Sequence, residues 1–254
     1  MQYEESDIIR AHQPCPDCES SDAMSIYTDH TYCFSCLAWR STLETAEVIS
    51  IKSKDTLKPS LKWADRNISQ AVTNFYDVKV DYNSVEFPYC SDGVQVASKY
   101  RDSDKNFKTS GDFSIADMFG VHTMSKAKNF ELGNTVIITE GEADALAAFQ
   151  IANRITPTSD TISLKRTLVP AFSIKSGVAS AERDIKANLE MLERFERVFI
   201  CFDSDDQGKV ASEKVAKLFS PGKARIVNLE LKDSCEYTSK NMQQEFMSHL
   251  KDAI

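Results

Sequence analysis

The stretch Thr135-Val136-Ile137-Ile138-Thr139-Glu140-Gly141-Glu142-Ala143-Asp144 decides the fold. A short β-prone apolar run ends in an acid, and the glycine after it permits a sharp turn. An apolar stripe follows at Ala143, Leu146, Ala147 and Ile151, spaced as one helix face. The same order of strand then helix returns downstream. Strands are predicted at Leu168–Phe172, Val198–Phe202 and Ala224–Leu231. Helical stripes fall at Ile185, Leu189 and Leu192, and at Ala211, Val215, Leu218 and Phe219. Short apolar strands alternating with amphipathic helices predict an α/β fold with a mostly parallel, Rossmann-like sheet covered on both faces.

The strand ends carry the chemistry. Open parallel sheets bind ligands at the carboxyl ends of their strands, and here those ends are acidic. Glu140 follows the first strand. Asp203-Ser204-Asp205-Asp206 follows Val198–Phe202 and leads through Gln207-Gly208 into a helix. Asp203 and Asp205 are two apart, so an extended backbone turns both to one side. Lys232-Asp233 closes the last strand. A single acid after a strand is commonly a helix N-cap. Acids after three strands of one sheet point instead to a site for hard divalent cations.

Upstream lie a helical stretch near Asn67–Phe75 and a hairpin, Val85–Cys90 and Val94–Tyr100 around Ser91-Asp92-Gly93, a strong hairpin signal. Lys99 and Arg101 alternate on its second strand and share a face, and Lys105 and Lys108 follow. Alone these read as a solvated strand face. Beside an acidic rim they read as a strip for nucleotide or template phosphates.

At the amino end the cysteines pair as Cys15-Pro16-Asp17-Cys18 and Cys33-Phe34-Ser35-Cys36. Two residues between thiolates let both reach one tetrahedral corner, and four thiolates close a structural zinc site on a small antiparallel ribbon. A redox dithiol is the alternative, which two pairs at ribbon spacing disfavour. His30, Tyr32 and Trp39 are groups that hydrogen-bond or stack on single-stranded bases, or that simply pack a domain too small for a large core. Residues 44–60 lack periodicity and hold Lys52, Lys54, Lys58 and Pro59, as a flexible basic tether would.

Composition bounds the rest. The chain has 254 residues, 42% of them apolar, and a net charge of −8. That allows one large domain plus a small module, and an acidic total predicts dependence on divalent cations. Met1 to Arg10 hold three acids and no apolar core of a secretory signal. No run is long enough to span a bilayer, so no membrane partner is expected. Seven cysteines, an odd number, suit a reducing cytoplasm.

The acidic pattern resembles the Toprim domain of bacterial-type primases, topoisomerases, OLD-type nucleases and RecR-type mediators: Glu140-Gly141-Glu142-Ala143-Asp144 matches its glutamate motif and Asp203-Ser204-Asp205 its D-x-D motif. The whole chain resembles the primase half of T-odd phage primase–helicases, through the cysteine pairs, Lys105-Asn106-Phe107-Lys108-Thr109-Ser110, both acidic motifs, and Lys232-Asp233 followed by Glu236. The resemblance implies a zinc ribbon at 1–43, a linker at 44–60, an α+β basic subdomain of the RNA polymerase domain at 61–133, and a Toprim subdomain at 134–254. It implies a DNA primase that makes short RNA primers on single-stranded DNA from ribonucleoside triphosphates, alongside a replicative helicase (fused or separate) and a DNA polymerase, in the host cytoplasm if phage-encoded. It places one structural Zn²⁺ on Cys15, Cys18, Cys33 and Cys36, and two Mg²⁺ or Mn²⁺ among Glu140, Asp144, Asp203, Asp205 and Asp233. Glu140, Asp203 and Asp205 would be catalytic. Lys99, Arg101, Lys105, Lys108, His30 and Trp39 would touch nucleotide or template. Two departures stand out: Tyr27 to Cys33 is one residue shorter than the phage pattern, and no G-x-x-x-x-G-K-[ST] loop occurs. Two rivals remain, a Toprim nuclease, which would not need a ribbon, and a non-catalytic RecR-like DNA-binding module, which also pairs a four-cysteine site with Toprim; the segment Leu61–Asn134, with its hairpin and basic strip, favours primase over both.

Overall fold

The computed structural model describes residues 8–18, 20–27, 30–41, 65–81, 84–102, 104, 106–129, 132–162 and 167–253. The tether at 44–60 lies outside them. Contacts divide the chain into two compact units, Met1–Leu57 and Lys58–Ile254.

The first unit is an antiparallel four-stranded sheet of β1 (Ile8–Gln13), β2 (Met24–Tyr27), β3 (His30–Cys33) and β4 (Trp39–Ser41), in sequence order. Its apolar content is small. Cys15 and Cys33 are among its few buried side chains, so a cross-link between thiolates would do the work of a core.

The second unit opens with α1 (Gln70–Phe75), capped by Ser69, whose hydroxyl accepts from the Val72 amide at 3.3 Å. An antiparallel sheet follows: β5 (Lys79–Val80), β6 (Ser84–Ser91), β7 (Val94–Asp102) and β8 (Phe107–Gly111). The β6–β7 turn is Asp92-Gly93, both at positive φ (50° and 80°), as a two-residue hairpin turn requires.

Next comes the strand–helix alternation: β9 (Thr135–Thr139), α2 (Glu142–Ala152), β10 (Ala171–Ser173), α3 (Ala181–Ala187), α4 (Leu189–Leu192), β11 (Arg197–Cys201), α5 (Asp206–Ala216), β12 (Ala224–Ile226), α6 (Ser234–Ser239) and α7 (Gln243–Asp252). The sheet order is β10-β9-β11-β12, all parallel. Period-two alternation divides its side chains between two cores. Val136, Ile138, Val198 and Ile200 pack with Ile185, Leu192 and Val215. Ile137, Phe199 and Cys201 pack with Leu146, Phe149, Tyr237 and Phe246. The second core also takes in Val72, Tyr76, Phe87, Tyr89 and Ala97, so α1 and the hairpin sheet share it with the parallel sheet.

Four expectations need correction. The strand predicted to reach Leu231 stops at Ile226, because the amides of Glu230 and Leu231 donate to the Tyr237 hydroxyl (2.9 and 3.1 Å) and turn the chain toward α6. The strand at Leu168–Phe172 begins only at Ala171, after Pro170, which has no amide to give a ladder; Leu168 makes an isolated bridge to Leu132. The stripe Ile185, Leu189, Leu192 spans two helices broken at Asn188, whose side-chain amide donates to the Asp184 carbonyl (2.9 Å). The stripe ending in Leu218 and Phe219 outruns its helix, which ends at Ala216.

Candidate active site and thiolate cluster

In the ribbon, Cys15 follows β1 and Cys33 ends β3. The Cys15 and Cys33 amides donate to the carbonyls of Ser20 and Ala38, folding each pair into a tight knuckle. The four sulfurs lie within 4.8 Å of one another, with Cys15–Cys36 and Cys18–Cys33 each at 3.7 Å. Four thiolates about 2.3 Å from one zinc ion form a tetrahedron with edges of about 3.8 Å. The donors thus fit the ion, and all four cysteines are free of disulfides. The thiols do not charge independently. The Cys36 backbone amide lowers Cys33 to about 7, while, against the Ala38 amide, burial and its three neighbours push Cys36 up to about 12. A charge on one thiol thus opposes charge on the next, and a cation among them would relieve it. His30 stacks its ring on Tyr27, with centroids 4.4 Å apart and planes within 3°. Trp39 pairs through its backbone with Tyr32; its indole lies outside the described atoms.

In the second unit, β9, β11 and the segment after β12 bring acids to one rim. Glu140 follows β9 and Asp203 follows β11, the neighbouring strand. Burial, then the charges of Asp203 and Asp205, push Glu140 up to about 7. Asp144 sits in the first turn of α2, over Gly141, where a Cβ would lie 2.7 Å from its Oδ2. Burial, then Asp233 and Asp203, push Asp144 up to about 7. Asp203 is raised by burial, with Lys232 opposing and Asp233 adding to the rise. Asp205 and Asp233 also serve as N-caps, accepting from the Gly208 amide (2.8 Å) and the Glu236 amide (2.9 Å). Lys232 Nζ lies 3.5 Å from Asp203 and 3.8 Å from Asp233. Carboxyl groups that raise one another's pKa in this way are poised to gain from a shared cation.

Gly208 explains how the D-x-D turn closes. A Cβ there would meet the Asp203 carbonyl oxygen at 2.1 Å, so α5 starts directly against the Asp203 backbone.

The basic residues separate. Lys99 ion-pairs with buried Glu142, which also accepts from Tyr89 Oη at 2.5 Å, and Lys99 Nζ donates to the Lys175 carbonyl at 2.6 Å. Lys99 therefore ties the hairpin sheet to the start of α2. Arg101, half-buried, lies 5.5 Å over the exposed Phe107 ring; burial and then the charge of Arg66 lower its pKa. Lys108 pairs with Tyr100, so the pleat puts it on the face opposite Lys99 and Arg101. Lys105 lies outside the described residues. The sequence reading passed over Arg66 and Cys235. Arg66 Nη1 donates to Cys235 Sγ at 3.0 Å, and Cys235 Sγ groups with carboxylate oxygens of Asp144 and Asp233 within 4.8 Å. Neither had a signal: Arg66 stands just outside the helical stretch read near Asn67–Phe75, and Cys235 stands outside the paired cysteines.

Residues 137–238 match a family model described as Toprim-like. The chain is 30% identical over 258 residues to the DNA helicase/primase of Enterobacteria phage T3, covering 93% of this chain and 42% of that protein. It thus spans less than half the length of this curated relative. Among solved structures, the primase fragment of the bacteriophage T7 primase-helicase superposes with a TM-score of 0.60 at 28% identity, covering 94% of this chain and 98% of the fragment. The primase domains of T7 gp4, bound to an RNA/DNA hybrid and dTTP with the lagging-strand DNA polymerase, give 0.61 at 30% identity over 77% of this chain and 92% of theirs. The zinc-binding and RNA polymerase domains of the Aquifex aeolicus primase share the fold, with a TM-score of 0.50 at 14% identity. Among the described residues, no helix is long and apolar enough to cross a membrane.

Proposed function

This chain belongs to the family of the Toprim-type phage primases, and from that premise we propose that it synthesises short RNA primers on single-stranded DNA. The observation that carries the reading is the acid rim, where Glu140, Asp203, Asp205 and Asp233 follow successive strands of one parallel sheet. Asp203, Asp205 and Asp233, with Asp144 and Glu140 beside them, are the residues to hold Mg²⁺ or Mn²⁺. Two such ions supply activation of a primer 3′-hydroxyl and charge neutralisation on the triphosphate. Glu140, on the same rim as Asp203 and Asp205, would serve either as a further metal ligand or as the acceptor of the hydroxyl proton. Lys232 and Arg101 lie where a triphosphate's negative charge would add to that of the acids. Lys108 and Lys105 suit the template backbone. Lys99, committed to Glu142, positions the start of α2 and with it Asp144.

The ribbon, with zinc on its four thiolates, reads a short template sequence through His30 and Trp39. The domain limits proposed are 1–43, 44–60, 61–133 and 134–254. Partners are a helicase, fused or separate, and a DNA polymerase, in the host cytoplasm. The test is incubation of the chain with single-stranded DNA and ribonucleoside triphosphates. Labelled short RNA is expected. Cleaved DNA would favour a nuclease, and binding without product a RecR-like module.

A further inference from the structure

Phe107 is left 56% exposed on β8, an edge strand whose five side chains all face solvent. A single exposed apolar side chain is ordinary on a protein surface, but three features set this one apart. The first is the side it faces. Phe107 pairs with Arg101 across β7 and β8, so the two share a face of the hairpin sheet, and Lys99 shares it two residues along. That face is turned to the acid rim. Lys99 reaches Glu142, and Arg101 lies close enough to feel the charges of Asp144 and Glu142. The second is its company. The Arg101 guanidinium lies 5.5 Å and Lys99 Nζ 5.9 Å from the ring centroid, and cations so placed hold a ring by its π electrons. The third is rigidity. In the turn before Phe107, the Asp102 carboxylate accepts from the amides of Asp104 and Asn106 (2.9 and 2.8 Å) and from the Asn106 side chain (3.0 Å). At the far end of β8, Gly111 (φ 80°) sits so close to β7 that a Cβ would meet the Val96 carbonyl oxygen at 2.2 Å. An edge strand pinned at both ends thus holds an aromatic ring out to solvent beside cations, the combination on which unpaired nucleobases stack. A ring fixed beforehand loses little freedom on binding.

We propose that Phe107 is a stacking platform for a nucleobase beside the acid rim, with Arg101 next to it for the attached phosphate. The base has two possible sources, a ribonucleoside triphosphate or the single-stranded template. The inference rests on the nucleotide-polymerising reading of the rim. It adds a contact to the base where every other group on that side of the hairpin sheet answers to charge.

The test uses the full chain carrying Phe107→Trp, with tryptophan fluorescence read as the difference from wild type, since Trp39 and Trp63 are common to both. One arm adds ATP with Mg²⁺, and its control adds tripolyphosphate with Mg²⁺. The other adds oligodeoxythymidylate, and its control adds an abasic oligonucleotide of the same length. The expected result is saturable quenching in at least one arm that its base-free control does not produce, and the arm that quenches identifies the source. Phe107→Ala should weaken binding of that same ligand by calorimetry about tenfold, and Phe107→Tyr should restore it. A merely structural role would not discriminate base from base-free ligand in this way. Binding of ATP and oligodeoxythymidylate by calorimetry with no quenching, or with quenching equal to that of the controls, would overturn the platform and leave the primase reading standing. Base-dependent quenching in a chain that makes no primer would keep the platform and sink the primase reading. No binding of either ligand would overturn both.

Discussion

Gly208→Ala is a substitution that ordinary helix rules would favour. Gly208 lies in the first turn of α5, and alanine in a helix gains about 1 kcal/mol over glycine. Here the added Cβ would sit 2.1 Å from the Asp203 carbonyl oxygen, 3.0 Å from its carbon and 3.2 Å from its nitrogen. All three are backbone atoms, so no side-chain rotation relieves the contact. A carbon needs more than 3 Å from that oxygen, so α5 and the Asp203 backbone must part by about 1 Å. Overpacking of this kind costs about 3 kcal/mol. Set against the helix gain, the net loss is about 2 kcal/mol, or roughly 4–8 °C in Tm for a unit of this size. The movement falls on Asp203 itself, and misplacing a catalytic group by about 1 Å costs about 100-fold in rate. Thermal denaturation and primer synthesis on one preparation check both numbers. A variant at least as stable as wild type and equally active would refute the reasoning.

Three further outcomes are expected. Cys33→Ser should release the ribbon zinc, read by elemental analysis, because three thiolates leave the tetrahedron open. Lys99→Met should lower stability by about 3 kcal/mol in chemical denaturation, because it strands buried Glu142 without its cation; a stability unchanged with only nucleotide binding lost would restore Lys99 as a template contact. Glu140 and Asp144 have folded-state pKa values raised to about 7 from ordinary carboxylate values near 4, so the metal-free protein should lose stability as pH rises from about 4 through 7, while Mg²⁺ should raise Tm more at pH 8 than at pH 6.

The parallel sheet was legible because β9, β10 and β11 are short apolar runs that are almost wholly buried, and α2 and α5 carry their stripes beside them. The acids at the strand ends were legible for the same reason: a strand fixes where its next residue emerges. What the sequence did not reveal depends on contacts between distant segments. The early end of β12 depends on a hydroxyl, Tyr237, contributed by a later helix. α7 buries Phe246 and Leu250, a four-residue spacing present in the sequence but short of a full stripe. The basic strip looked continuous along the chain, yet strand register sends Lys108 to the face opposite Arg101, and burial commits Lys99 to Glu142. Arg66 and Cys235 meet across 169 positions, a pairing no local pattern encodes.

The central claim is that the acid rim performs template-directed RNA synthesis. Its most direct test measures ribonucleotide incorporation on single-stranded DNA with Mg²⁺, for wild type, Asp203→Asn and Asp205→Asn, alongside DNA binding by fluorescence anisotropy. Removing a charge needed at the transition state, and not one that holds the core, should cut incorporation at least about 100-fold in each variant while DNA affinity stays within about threefold. Near-wild-type incorporation by both variants would contradict the account and move the chemistry elsewhere in the chain.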